Sequence, residues 1–240
     1  AIRALVKLAC SVFTRRLSPN RHPPMNAAAP NQPLIDALAD PMLRALASRG
    51  VVRRYKKGAT LIQEGDSGDA IFIVLDGRVK VYASNDADRE IVISELGAGE
   101  YVGEMSLDGG PRSASVQALV PTTCSCIARQ TLSTFIGEHP EFAFQLISKV
   151  IARVRVTTAT VKSLALLDVY GRVARLLTDL AVERDGARSV PHELTHQDIA
   201  DRVGSSREMV SRILKDLVAG GYVSVDRKII TLQRPLPPAW

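Results

Sequence analysis

With 240 residues, 46% of them hydrophobic, the chain is long and apolar enough for two modest packed domains, which excludes a largely disordered protein. No apolar run approaches the roughly 20 residues needed to cross a bilayer, and Cys10, Cys124 and Cys126 form neither an even disulfide framework nor a metal-ligand cluster, so a cytoplasmic protein with no membrane partner is expected. The net charge of +6 is no nucleic-acid footprint in itself: Arg3, Lys7, Arg15, Arg16 and Arg21 precede every carboxylate, and taking these five from 31 basic residues leaves 26 against 25 acidic ones.

The opening, AIRALVKLACSVFTRRLSP, has a composition shared by targeting peptides, amphipathic anchors and stray extensions. An extension is the preferred reading, with Met25 after the turn-like NRHPP run as a candidate start and residues 1–33 as extension and spacer. Leu34, Leu38, Leu43 and Leu46 then suggest short helices, with Asp40-Pro41 as a helix start between them. From about residue 51 short β-branched runs alternate with glycine and Asp-Gly turns, the pattern of a small β-barrel or roll over residues 34–138.

His139-Pro140 opens a long stretch without proline or glycine, predicting a helix over 139–167. Its apolar positions Ile147, Val150, Val154, Val161 and Leu164, with Thr157 between them, step by alternating threes and fours, the spacing of a coiled-coil seam. Such a stripe serves either a homodimer or the core of a monomer. Asp168 is placed to cap a further helix to about Leu180, and VERDGARSVPHEL reads as a loop.

The segment THQDIADRVGSSREMVSRILKDL reads as helix, tight turn, helix, followed by a hairpin from Tyr222 to Leu232. Thr195 caps the first helix, Gly204 supplies the turn, and Ser205 or Ser206 caps the second. Val210, Ile213, Leu214 and Leu217 face inward, which leaves Ser206, Arg207, Glu208, Ser211, Arg212 and Lys215 outward as candidate DNA contacts. Arginine can donate two hydrogen bonds to guanine, and glutamate can accept from the cytosine amino group. The plainer alternative is a solvated face carrying a Glu208–Arg212 pair.

Three ordered stretches resemble the Crp/Fnr family, in its cyclic AMP receptor branch, over nearly all of residues 45–232. GEMSLDGGPRSASV, residues 103–116, is similar to its phosphate-binding cassette; RVRVTTATVKSLALLDVYGRVARLL, residues 153–177, to its dimerisation helix and hinge; HQDIADRVGSSREMVSRILKDL to its helix-turn-helix. The resemblance implies an α+β chain with an N-terminal cyclic-nucleotide-binding β-roll of jelly-roll type, a long dimerisation helix, and a winged helix-turn-helix over 168–240. It implies a homodimeric regulator that binds palindromic double-stranded DNA, works with RNA polymerase and takes cyclic AMP or a related cyclic nucleotide as effector, with no tightly bound cofactor.

By the same resemblance Arg112 and Ser113 hold the cyclic phosphate, with backbone N–H groups of Gly103, Glu104 and Met105 nearby. Glu104 takes the ribose hydroxyl, Arg153 steadies Glu104, and Thr157 and Thr158 meet the base. A surface Glu104–Arg112 pair and a tolerated polar seam residue are the plain alternatives. The loop between Glu104 and Arg112 is shorter than in the best-known cyclic AMP-binding members, which leaves cyclic GMP, a cyclic dinucleotide or no ligand open. An iron–sulfur sensor lacks thiolates, since only Cys10 precedes the roll. Cys124 and Cys126 face one side of a strand, which leaves a redox role open; His192, Glu193, His196 and Asp198 have a spacing that would suit a metal on a helix, although His192 lies in a loop ahead of the Thr195 cap; an enzyme using Glu104 as base lacks a paired nucleophile and a metal set.

Overall fold

The computed structural model describes residues 31–85, 89–184 and 186–237. The basic opening segment and Met25 lie outside the described residues. Two short helices, α1 (Gln32–Asp36) and α2 (Pro41–Ala47), come first. Asp40 caps α2 by accepting from the amides of Met42 and Leu43, and Pro41 sits at its first turn, where a missing N–H costs nothing.

Eight strands follow: β1 (Val51–Tyr55), β2 (Thr60–Ile62), β3 (Ala70–Asp76), β4 (Arg78–Ser84), β5 (Glu90–Gly97), β6 (Tyr101–Val102), β7 (Ser115–Ala118) and β8 (Thr122–Ala128). They form two antiparallel four-stranded sheets, ordered β1-β8-β3-β6 and β2-β7-β4-β5. Strand β3 shows how the roll is built. All of Ile71 to Leu75 is buried, yet the period of two splits the run. Ile71, Ile73 and Leu75 pack with Leu38, Leu43 and Leu46 of the N-terminal helices, while Phe72 and Val74 join Val79, Val102 and Val116 between the sheets. One strand thereby serves two cores, which explains a continuous apolar run where one-sided burial would alternate.

Helix α3 (Arg129–Glu138) leads to α4 (Pro140–Leu166), 27 residues long with Pro140 in its first turn. Only Phe142 of α4 is buried. Ile147, Ile151, Val154, Val156 and Val161 are about half exposed or more, so the stripe read from spacing is not the core of a single chain.

The C-terminal part holds α5 (Val169–Leu180), β9 (Val182–Arg184), β10 (Ala187–Ser189), α6 (His196–Val203), α7 (Arg207–Ala219), β11 (Val223–Asp226) and β12 (Ile229–Leu232). Asp168 caps α5 through the amide of Gly171. Tyr170, Val173 and Leu177 of α5 pack with Ile199, Val203, Val210, Leu214 and Leu217 into one core. The stretch read as a loop is instead the β9–β10 hairpin, which extends the β11–β12 wing to a four-stranded sheet ordered β11-β12-β10-β9. Three-residue strands are too short for a periodicity to show, although Asp185-Gly186 is a hairpin dipeptide.

Candidate effector site and nucleic-acid interface

The cassette begins where β6 ends. Gly103, with φ +91°, turns the chain out of the sheet into a 3-10 helix, Glu104–Asp108, and Gly109, with φ +93°, ends it. Both positions lie in the left-handed region that favours glycine. Arg112 follows, and its guanidinium turns inward. Its Nη1 donates to the carbonyl of Gly103 at 2.9 Å and to Oγ of Ser106 at 2.7 Å, and its Nη2 to the carbonyl of Ala70 at 2.7 Å. Burial pulls its pKa down, while Asp69 opposes that shift.

The close approach needs bare backbone: a Cβ on Gly68 would meet the Arg112 guanidinium at 2.8 Å, and one on Gly103 would meet Nη1 at 2.7 Å and the carbonyl of Ala70 at 2.9 Å. Gly103→Ala should therefore cost about 3 kcal/mol, a sum of left-handed strain and displaced contacts, read as a lower urea midpoint. A loss under about 1 kcal/mol would mean that the cassette gives way easily.

Glu104 is buried, and its Oε1 lies 2.5 Å from Nη1 of Arg153 on α4. Arg153 also donates to the carbonyl of Tyr101 and lies over the Tyr101 ring, 5.4 Å from its centroid. The plain alternative of a surface Glu104–Arg112 pair is therefore replaced by an inward Glu104–Arg153 pair. Ser113 is exposed and its hydroxyl faces the sulfur of Met105 at 3.4 Å, Met105 itself being exposed. Thr157 and Thr158 are exposed on α4, and the Thr158 hydroxyl donates back to the carbonyl of Val154 at 2.9 Å. Gly103, Glu104, Met105, Arg112, Ser113 and Arg153 thus cluster at one end of the roll, and Thr157 follows Arg153 by one helical turn. Ser106, which holds Arg112, and Tyr101, which holds Arg153, were not singled out in the sequence.

Cys124 is fully buried between the sheets, with its thiol pushed up to about 12 by burial, and burial raises the Cys126 thiol too. Neither is a thiolate at neutral pH, which argues against redox chemistry.

At the other end, Thr195 and Asp198 form a reciprocal capping box on α6, and Gly204 closes that helix with φ +63°. Ser206 caps α7 through the amide of Met209. Ser206, Arg207, Glu208, Arg212 and Lys215 are exposed. The Glu208 carboxyl lies below its ordinary range because its own backbone N–H and the Ser206 hydroxyl donate to it. Ser211 departs from the expected outward set. It is half-buried, and its hydroxyl meets Nδ1 of His196 at 2.6 Å. The reason is its place three residues before Leu214, at the edge of the apolar stripe facing α6. This contact engages Nδ1 of His196, and among the described residues no group of three metal-binding side chains occurs.

Arg172 braces the junction, donating from Nε to the carbonyl of Val203 at 2.7 Å and from Nη1 to that of Leu167 at 2.9 Å. Arg202 of α6 pairs with Glu95 of β5. Between the β4–β5 hairpin and the start of α7 lies a cleft of about 730 Å³, lined by Ser84, Asn85, Ile91, Ser206, Arg207 and Glu208.

The cyclic nucleotide-binding domain family matches residues 52–139, and the Crp-like helix-turn-helix domain family matches residues 171–235. The chain is 32% identical to the CRP-like cAMP-activated global transcriptional regulator of Mycobacterium tuberculosis, covering 74% of this chain and 82% of that one. It is 36% identical to the cAMP-activated global transcriptional regulator Vfr of Pseudomonas aeruginosa, covering 75% and 88%. Among solved structures, the c-di-GMP responsive global regulator CLP of Xanthomonas campestris superposes with a TM-score of 0.71 at 29% identity, covering 80% of this chain and 97% of that one. These relatives are regulators rather than enzymes. With a cyclic-nucleotide-type roll, a long helix and a helix-turn-helix in that order, the chain belongs to the Crp/Fnr family of DNA-binding transcription regulators.

Proposed function

We propose that this regulator works as a homodimer, reads a palindromic site with α7, and is controlled by a cyclic nucleotide, cyclic AMP in the first instance. The observation that carries the effector reading is the Arg112 guanidinium, buried beside the Glu104–Arg153 pair. A buried cation held only by neutral carbonyls and a hydroxyl is poised to trade those partners for an anion, whose charge strengthens each bond. Ser113 and the amides of Gly103 to Met105 supply further donors to a cyclic phosphate, Glu104 accepts from a ribose hydroxyl, and Thr157 and Thr158 meet the base at the seam. The likeness to CLP, a c-di-GMP responsive regulator, favours a cyclic dinucleotide as the second reading.

The exposed stripe on α4 supports pairing of two copies through residues 139–167. Effector binding then shifts the reading heads about the hinge at Leu167 and Asp168. The Arg202–Glu95 pair and the facing cleft suit the resting arrangement, since Ser206, Arg207 and Glu208 look across it at the β4–β5 hairpin. In the active arrangement the two α7 helices enter successive major grooves about 34 Å apart. RNA polymerase is the further partner of such a promoter-bound dimer, in the cytoplasm.

The test is DNA-binding anisotropy on a palindromic site at one salt concentration, with cyclic AMP, cyclic GMP and cyclic di-GMP titrated in turn. Tighter binding with cyclic AMP alone is expected; affinity indifferent to all three removes the nucleotide. In the same assay Arg207→Ala should lose about 1–3 kcal/mol at one base pair of each half-site, whereas equal loss on every sequence would leave Arg207 a phosphate contact.

A further inference from the structure

Helix α6 packs against β5, the edge strand of its sheet, so the helix-turn-helix and the roll share a contact within one chain. Arg202 of α6 pairs with Glu95 of β5, and both side chains are mostly buried. The same guanidinium donates from Nη1 to the carbonyl of Asp198 at 2.8 Å, which fixes its aim. Gly204, the turn between α6 and α7, lies close by: a Cβ there would meet Leu164 of α4 at 3.3 Å and Ile91 of β5 at 3.6 Å.

A third contact works against these two. Asp201 of α6 is half-buried and lines one cleft with Glu90, which is itself paired with Lys80 of β4. Burial holds the Asp201 carboxyl above its ordinary range; the Gln197 amide, donating at 2.6 Å, and Lys80 oppose that shift, and Glu90 adds to it. A desolvated carboxylate beside a like charge is costly, so the contact holds both a clasp and a spring. Inter-domain contacts as polar as this open readily. Arg207 and Glu208 of α7 form one wall of the same cleft, and Ser84, Asn85 and Glu90 of the hairpin form the other. A major groove is about 12 Å wide between its phosphate ridges, so α7 enters one only with a ridge on either side.

We propose that Arg202 and Glu95 form a latch that docks the helix-turn-helix on the β4–β5 hairpin in a state of low DNA affinity, with Asp201 and Glu90 as the opposing charges that let it open. In the docked state the hairpin stands where one phosphate ridge must pass. The latch rests on the reading of α7 as the helix that enters DNA, and it is independent of which effector the roll binds. Apparent DNA affinity is the intrinsic affinity scaled by the open fraction, so weakening the latch raises it without altering a DNA contact.

The experiment is anisotropy titration of the full-length protein on the palindromic site, with no nucleotide present and at one salt concentration. Glu95→Gln and Arg202→Gln should each tighten DNA binding by about fivefold, and Asp201→Asn, which relieves the opposing charge, should weaken it by about threefold. Bulk charge predicts the reverse for both α6 variants, since DNA affinity falls when the head loses a cation and rises when it loses an anion. Glu64→Gln, at an exposed position elsewhere on the roll, removes the same charge as Glu95→Gln and should leave affinity unchanged. Amide hydrogen exchange in α6, faster in Glu95→Gln than in the parent, reports the opening itself. Glu95→Gln and Arg202→Gln moving in opposite directions reduces the effect to charge and overturns the latch, as do two unchanged affinities. Weaker binding by both makes the docked state the competent one and overturns its inhibitory role. Arg207→Ala on the same site separates the two readings: its loss of affinity beside unchanged latch variants overturns the latch alone, whereas parental affinity in Arg207→Ala overturns the role of α7 and the latch with it.

Discussion

Arg112→Leu will weaken cyclic-nucleotide binding by about 100-fold or more, since it removes a desolvated cation from the place proposed for the phosphate. The effect on stability will be smaller than the effect on binding. In the ligand-free protein the guanidinium donates to the carbonyls of Gly103 and Ala70 and to the Ser106 hydroxyl, so leucine takes one donor from each of them, the Gly103 carbonyl keeping that of Ser106. Each such loss costs about 1–3 kcal/mol if water cannot enter, but the cassette lies near the surface, where water can replace the lost donors. Isothermal calorimetry with cyclic AMP gives the binding term, and urea unfolding gives the other. Arg112→Leu binding as tightly as wild type would place the phosphate elsewhere; equal losses in both assays would make Arg112 a structural clamp.

Val154→Glu will convert the dimer into monomers at micromolar concentration. Val154 is 59% exposed in the single chain and lies at the centre of the α4 stripe. A two-fold pairing places the two glutamates near one another in an apolar seam, and the combined desolvation and repulsion raise the dissociation constant by about 1000-fold. Sedimentation should show the chain mass of 26.0 kDa where the parent shows twice that. DNA affinity should fall with it, because each half-site is then bound alone. An unchanged sedimentation coefficient would move the dimer contact off this stripe. Lys162→Glu, at an exposed position off the stripe, is the matched control and should leave the dimer intact.

Where periodicity or a cap carries the information, the sequence is readable. Helix α4, the Asp40, Asp168 and Thr195 caps and the buried face of α7 all follow from local spacing, and the structure bears each of them out. Helix α3 was not legible because Ala128 offers no side-chain cap and the strand before it runs straight in. The β9–β10 hairpin was hidden by its shortness. Long-range choices were out of reach for a different reason. The inward turn of Arg112 onto Ala70 and the Arg202–Glu95 pair join residues far apart in the chain, and spacing holds no record of them; the equally distant Glu104–Arg153 pair was expected from the family resemblance alone, and the structure bears it out. The position of Ser211 failed on a finer point, since one residue at the margin of a helical stripe can turn either way.

The 27 residues of α4 have one more consequence, which is mechanical. The helix is about 40 Å long, so a tilt of about 5° at the Phe142 end sweeps the Leu166 end through about 3 Å. Arg153 grips the roll near its middle, through Glu104 and the Tyr101 carbonyl, and Arg172 ties the Leu167 carbonyl to that of Val203 at its tip. With the pivot at the Phe142 end, the roll therefore acts on the lever near its middle, at the proposed effector site, and the load sits at the helix-turn-helix. A displacement of about 1 Å at Arg153 leaves this lever as about 2 Å at Leu166, and stiffness, rather than any moving loop, is what the long helix contributes.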